Sequence, residues 1–384
     1  MHQRNRPPRL LMVIMGASLL FNLGFNLYRS VLSNFAASMG ITEGQYGLLE
    51  GIREIPGLAT MFLVALAARA GDRWLYTISA VLTGLGIWLY ATSQNYADLI
   101  TATLVQSVGF HIWGVVQDSM VLKATAEGDR ARQLGRINSV GAAAGLIGMG
   151  VVAVTGRWLG MRSFFMVGGV AVLVGALVTL LLSATGEKRS SSLSFNWKYR
   201  SYYILTLLQG ARRHIVLTFA AFALVRLHGA SVQTMALLLA AHSFLSIWTR
   251  PLIGRIIDRM GEQRALSLNY AVVALVFLGY ALIGSPYIIY GLFILDNVLT
   301  GFDIAVSTHA GRIIPRHELS ASLATGTSIN HIFGVLVPVM GGLLWQWFGP
   351  RIPFLMGVGI VLVAMAYSWN LDARTQAVTA EQAG

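Results

Sequence analysis

The chain has no cysteine, so disulfides, thiolate nucleophiles and cysteine-ligated metal sites are excluded. It is also poor in charge. Asp, Glu, Lys and Arg make up 11% of its 384 residues, where an ordinary soluble domain carries about 25%. So few charges cannot cover a surface that faces water throughout. There is no Walker loop for nucleotide-driven work, no His-Glu-x-x-His for zinc hydrolysis and no Asn-x-Ser/Thr acceptor. Nor does the sequence alternate apolar and polar residues over stretches of about ten, as the strands of a membrane barrel would.

What is present is apolar. Hydrophobic residues make up 55% of the chain, and the mean hydropathy is +0.64. Long apolar runs recur, each near the roughly 20 residues that cross about 30 Å of hydrocarbon as a helix. The composition therefore predicts an all-α transmembrane protein held in a lipid bilayer. Twelve membrane-spanning helices are expected, near residues 10–37, 43–69, 74–93, 97–123, 134–156, 162–184, 201–226, 231–255, 264–283, 286–313, 320–346 and 351–370. The first apolar run follows MHQRNRPPR in the manner of a signal peptide. It is too long and lacks a small-residue cleavage site, so it is expected to be retained.

The net charge of +12 would suggest nucleic acid as the partner of a soluble protein. Here its placement decides its meaning, and no nucleic-acid partner is expected. Connections on one side hold Arg4, Arg6, Arg9, Arg69, Arg73, Lys123, Arg130, Arg132, Arg136, Lys188, Arg189, Lys198, Arg200, Arg255, Arg259, Arg264, Arg312, Arg316 and Arg374. Those on the other side hold only Arg157, Arg162, Arg226 and Arg351. Basic residues stay on the cytoplasmic side, so both termini are expected there. A bacterial inner membrane fits the lack of cysteines, glycosylation acceptors and long loops.

The longest polar connection, GEKRSSSLSFNWKYR at 186–200, separates an N-terminal six-helix bundle (1–185) from a C-terminal one (201–384) with a short cytoplasmic tail. The halves repeat each other. WLGMRSFFMVG at 158–168 matches WFGPRIPFLMG at 347–357 at a constant offset of 189, and the same register pairs Ser139 with Ser328 and Gly145 with Gly334. Parallel repeats of this kind are a transporter layout with the site between the halves.

GRIIDRMGEQR at 254–264 resembles the loop motif G-x-x-x-D-R-x-G-x-x-R of the major facilitator superfamily, and it lies between helices eight and nine, where a second copy belongs. AARAGDRW at 67–74, between helices two and three, keeps Asp72 and Arg73 without the later Gly and Arg. With the twelve helices, the central loop and the repeats, the resemblance extends over nearly the whole chain. It implies two pseudo-symmetric six-helix bundles rocking around a central cavity lined by helices one, four, seven and ten. It also implies that Asp72, Arg73, Asp258 and Arg259 act as gate residues. The Gly-Pro that ends the helix-five motif of many drug antiporters is missing from GAAAGLIGMG at 141–150.

Charged residues within the spans are Arg29, Glu50, Arg53, Glu54, Asp118, Arg212, Arg213, Arg250, Asp296 and Asp303. Each would cost about 2.5–3.5 kcal/mol near the centre of a lipid-facing helix, so they are expected to face inward. Asn22, Asn26 and Arg29 share one stripe of helix one, since residues three, four and seven apart lie on one face. Helix four carries His111 and Asp118, helix seven Arg212 and Arg213, and helix ten Asp296 and Asp303. The expected substrate-binding set is Asn22, Asn26, Arg29, His111, Arg212, Arg213, Asp296 and His331, with at most one of the adjacent arginines touching ligand. Glu50, Arg53 and Glu54 also share a face, followed by Pro56 and Gly57. They read either as an ion-pair cluster locking helix two to a neighbour or, with Asp296, as the proton-coupling groups. Asp118 is expected to pair with Arg73, and Asp303 with Arg259, as further gating contacts. His111, His242 and His331 read as a proton relay or as neutral packing residues.

No nucleophile, base and orienting group recur at readable spacing, so no enzyme activity is expected, nor any metal or cofactor. The expected function is secondary active transport, proton-coupled, of a small polar and anionic organic solute by a monomer. The alternatives are an exporter of lipophilic drugs or amphiphiles, kept open by 14 methionines, and a non-transporting receptor or scaffold.

Overall fold

In hydrocarbon, only helices and closed barrels can satisfy every backbone group internally. Helices are what form. The computed structural model describes residues 7–66, 71–125, 129–182 and 195–371, and among these there is no strand. Residues 186–194 of the central connection and the tail beyond residue 371 lie outside the described residues, as do Arg4, Arg6, Arg69, Lys188, Arg189 and Arg374.

In chain order the helices are α1 (Pro7–Ser38), α2 (Glu43–Leu66), α3 (Gly71–Thr92), α4 (Tyr96–Ala124), α5 (Arg130–Thr155), α6 (Met161–Thr179), α7 (Arg200–His214), α8 (Ala221–Arg226), α9 (Val232–Leu282), α10 (Pro286–Leu299), α11 (Ile304–Ile313), α12 (Arg316–Phe348) and α13 (Arg351–Ser368). A π-helical turn over Ile215–Ala220 joins α7 to α8, and a 3-10 turn over Thr300–Asp303 joins α10 to α11. Among the described residues, nine helices are long and apolar enough to cross a membrane. That count departs from twelve for three local reasons. Charges keep α2 out of the set, α7 stops at its π turn, and α9 is two helices that meet at Gly261. Gly261 has φ 77°, a backbone region that glycine enters without a Cβ clash.

Contacts divide the chain into two compact units. The first comprises Met1–Gly40, Ala59–Ser191 and Ser231–Ala240; the second comprises Ile41–Leu58, Ser192–Ala230 and Ala241–Gly384. The start of α2 thus belongs with the later part of the chain, and the start of α9 with the earlier part. Small residues let helices of the first unit approach closely: a Cβ on Gly24 of α1 would collide with the Gly168 carbonyl of α6. Trp113 of α4 is buried in this unit, stacked between Phe21 and Tyr76 at centroid distances of 4.2 and 3.9 Å.

In the second unit, the start of α2 lies along α12. Gly47, Gly51 and Glu54 are three, four and seven residues apart and so form one stripe. A Cβ on Gly47 would meet the Pro338 carbonyl, one on Gly51 would approach Val335 and Val339, and Glu54 lies beside Gly334. Close backbone contact therefore carries Glu54 to the middle of α12. Gln346 caps the arrangement by accepting hydrogen bonds from the Thr42 hydroxyl and the Gly44 amide, and Tyr46 stacks on Phe222 at 4.2 Å.

Candidate functional site

Two clusters of ionisable groups lie within the second unit. The first is built on α2. Arg53 Nη2 is 2.8 Å from Glu50 Oε2, one helical turn back, and 3.0 Å from Glu54 Oε1 of the adjacent residue. The other oxygen of Glu54 faces two imidazoles, His331 Nδ1 of α12 at 2.8 Å and His214 Nε2 of α7 at 3.8 Å. Glu50, Glu54 and His214 are buried, and Arg53 is only 11% exposed. The carboxylate of Glu54 thus bridges a fixed cation and a titratable ring.

The second cluster lies where two helices depart from regular geometry. Arg212, on the last turn of α7 before the π turn, donates from Nη2 to Asp296 Oδ1 at 2.8 Å and to the Asp296 carbonyl at 3.1 Å. Its Nη1 is 3.8 Å from Asp303 at the end of the 3-10 turn. Arg212 is 1% exposed and Asp296 0%, which places this pair out of reach of solvent. Arg213 is exposed. Irregular helical turns recur at functional positions, and here they flank a buried ion pair.

The remaining expected residues are placed as follows. In the first unit, the Asn22 and Asn26 amides donate to carbonyls one turn back on α1, at 2.8 Å each, with Gly141 and Gly145 of α5 pressed against them. His111 Nδ1 lies 2.9 Å from the Ser107 carbonyl of its own helix, and Arg29 is half-buried. Asp72 is buried and paired with Lys123 at 2.7 Å. Asp118 is exposed and forms no ion pair with Arg73; Arg73 instead lies over the Trp74 ring at 5.3 Å. The expected Arg73–Asp118 pair is thus replaced by Lys123–Asp72, since Lys123 at the end of α4 reaches Asp72 at the start of α3. In the second unit, Asp258 and Arg259 are both exposed. The expected Asp303–Arg259 pair is replaced by Asp303–Arg212, since the 3-10 turn brings Asp303 to α7. The loop beside Arg259 is tied instead by Arg312 and Glu262 at 3.2 Å.

Sequence reasoning overlooked Lys123, Glu262, Arg312 and His214. His214 lies one helical turn beyond the buried Ala211 and is itself buried, a spacing that marks the two as sharing an inward face.

The Major Facilitator Superfamily model matches residues 14–225 and 202–383. Multidrug resistance protein MdtL from Shewanella sp. (strain ANA-3) is 31% identical over 134 residues, 34% of this chain and 34% of that protein. The matched stretch therefore spans about a third of the length of that curated relative. Among solved structures, a mutant of the nucleoside transporter NupG superposes with a TM-score of 0.80 at 15% identity, covering 94% of this chain and 99% of that one. The D-xylose-proton symporter superposes at 0.75 with 12% identity, covering 94% and 97%. At such identities the likeness is one of fold. With its helical architecture and a family match along nearly its whole length, the chain belongs to the Major Facilitator Superfamily and is an integral, multi-pass membrane protein.

Proposed function

We propose that the chain is a proton-coupled secondary transporter that moves a small polar, anionic organic solute by alternating access. In this reading it works as a monomer in a bacterial inner membrane, with both termini cytoplasmic. The observation that carries the reading is the 2.8 Å contact of Glu54 Oε2 with His331 Nδ1, together with the hold of Arg53 on the other oxygen. A carboxylate and an imidazole at that distance hold a proton between them. Arg53 is shared by Glu50 and Glu54, so the proton and the guanidinium compete for Glu54, and one arrives as the other leaves. Arg213, exposed on a helix of the transmembrane bundle, supports an anionic solute. Arg212 and Asp296 are assigned to positioning that helix rather than to touching the solute. Gating is assigned to the loops carrying Asp72 and Arg73, and Asp258 and Arg259, which the Lys123–Asp72 and Arg312–Glu262 pairs brace.

Reconstitution into vesicles tests this. An imposed proton gradient should drive accumulation of a labelled organic acid, and Glu54→Gln should abolish the response to the gradient while leaving exchange of acid for acid. Accumulation that ignores the gradient in the unmodified protein sinks the coupling.

A second reading, export of lipophilic compounds, is favoured by the likeness to Multidrug resistance protein MdtL. It would be preferred if lipophilic cations rather than acids were moved and Arg213→Gln left that movement unchanged.

A further inference from the structure

Two guanidinium groups in the second unit contrast with the buried Arg212. Arg213 of α7 and Arg250 of α9 are exposed, and among the described residues neither enters an ion pair, whereas their neighbour Arg212 is paired twice. A guanidinium facing lipid costs about 2.5–3.5 kcal/mol by insertion scales, so both are placed towards water or a bound group. Arg250 lies eighteen residues past Val232, and Asp303 seventeen past Pro286, so neither sits near its helix start.

The surroundings of Arg250 are polar and defined. Its side-chain stem lies against Gly301 in the 3-10 turn. His242 lies eight residues earlier, about two turns back along the same side of α9, and its Nε2 is buried without a partner. Asp303, with its side chain 27% exposed and 3.8 Å from Arg212 Nη1, ends the same 3-10 turn. With Arg212 and Asp296 cancelling each other, Arg213 and Arg250 exceed Asp303 by a single positive charge.

Resting on the transport reading above, we infer that Arg213, Arg250 and His242, with Asp303 as their shared acid, form the substrate subsite for a monoanionic organic acid that also carries a hydroxyl or other hydrogen-bond donor. The carboxylate of the solute lies on the guanidinium groups, which suit its planar shape. Its donor group is accepted by Asp303 or by the free nitrogen of His242. A dianion would be overcharged here by the presence of Asp303, and a sugar would leave both arginines unanswered.

The test is thermal melting of the purified full chain in detergent, at fixed pH and ionic strength, with lactate and para-hydroxybenzoate, the dianions malate and phthalate, and glucose. The hydroxy monoacids should raise Tm most. Arg213→Gln and Arg250→Gln should each weaken that effect at least about tenfold in concentration, the scale of one hydrogen bond to a charged group. Arg250→Lys should retain part of it, and the unliganded Tm of each variant reports whether it folds. Asp303→Asn should shift preference towards malate and phthalate. Retention of full monoacid binding by Arg250→Gln, or an unchanged preference in Asp303→Asn, overturns the subsite and leaves the transport reading standing. Absence of stabilisation by every acid overturns both.

Discussion

At the scale of single residues, the buried pair of Arg212 and Asp296 makes the sharpest demand. Removing one partner leaves the other charged and enclosed, at a cost of about 3–5 kcal/mol, whereas replacing both with apolar groups of similar size is close to neutral. Asp296→Asn should therefore lower Tm markedly in detergent, and the double variant Arg212→Met with Asp296→Leu should regain most of the loss. A double variant no more stable than the single one would mean that the pair is not held by mutual neutralisation. His331→Gln keeps a polar side chain against Glu54 but cannot carry a proton. It should flatten the dependence of acid uptake on pH while the protein remains folded, as read by its melting curve; an unaltered pH profile would remove His331 from the coupling. The local part of these clusters was legible in the sequence. Glu50 and Arg53 are three residues apart, and that spacing alone pairs them, with Glu54 next in the chain. The distant part was not, because nothing in the residues around Glu54 indicates that His331, 277 positions away, is its partner. Nor does anything around Asp303 announce that a 3-10 turn will hand it to Arg212 instead of Arg259.

At the scale of elements, the start of α2 lies so close to α12 that its glycines have no spare volume. Gly47→Leu should cost about 1–3 kcal/mol through overpacking, read as a lower Tm, while Gly40→Leu tests something different, because Gly40 has open space around it and pays only for its φ of 71°. Equal melting of Gly47→Leu and the unmodified protein would show that the helices can separate there at little cost. Helix positions were readable because twenty-residue apolar runs leave few alternatives. The irregular turns were not. IVLTFA at 215–220 has the composition of any buried helix, so nothing in it distinguishes a π turn from a regular one. The loop glycine at 261 was legible through its motif, and it takes the positive φ that lets α9 change direction.

At the scale of the whole molecule, two helix starts are exchanged between contact units. Cutting the chain at a protease site placed among residues 186–194 should leave the pieces bound to each other through purification, because residues 41–58 of the first piece pack within the second unit. Separation of the pieces in mild detergent would show that those contacts do not hold on their own. The same exchange sets a timetable for synthesis. A chain grows at about 5–20 residues per second, so Glu54 enters the membrane on the order of tens of seconds before His331 has been made. Through that interval its companions are Arg53 and Glu50, supplied by its own helical turn. The local triad thus acts as a built-in escort, keeping a costly carboxylate tolerable in the bilayer until the imidazole that meets its other oxygen emerges from the ribosome.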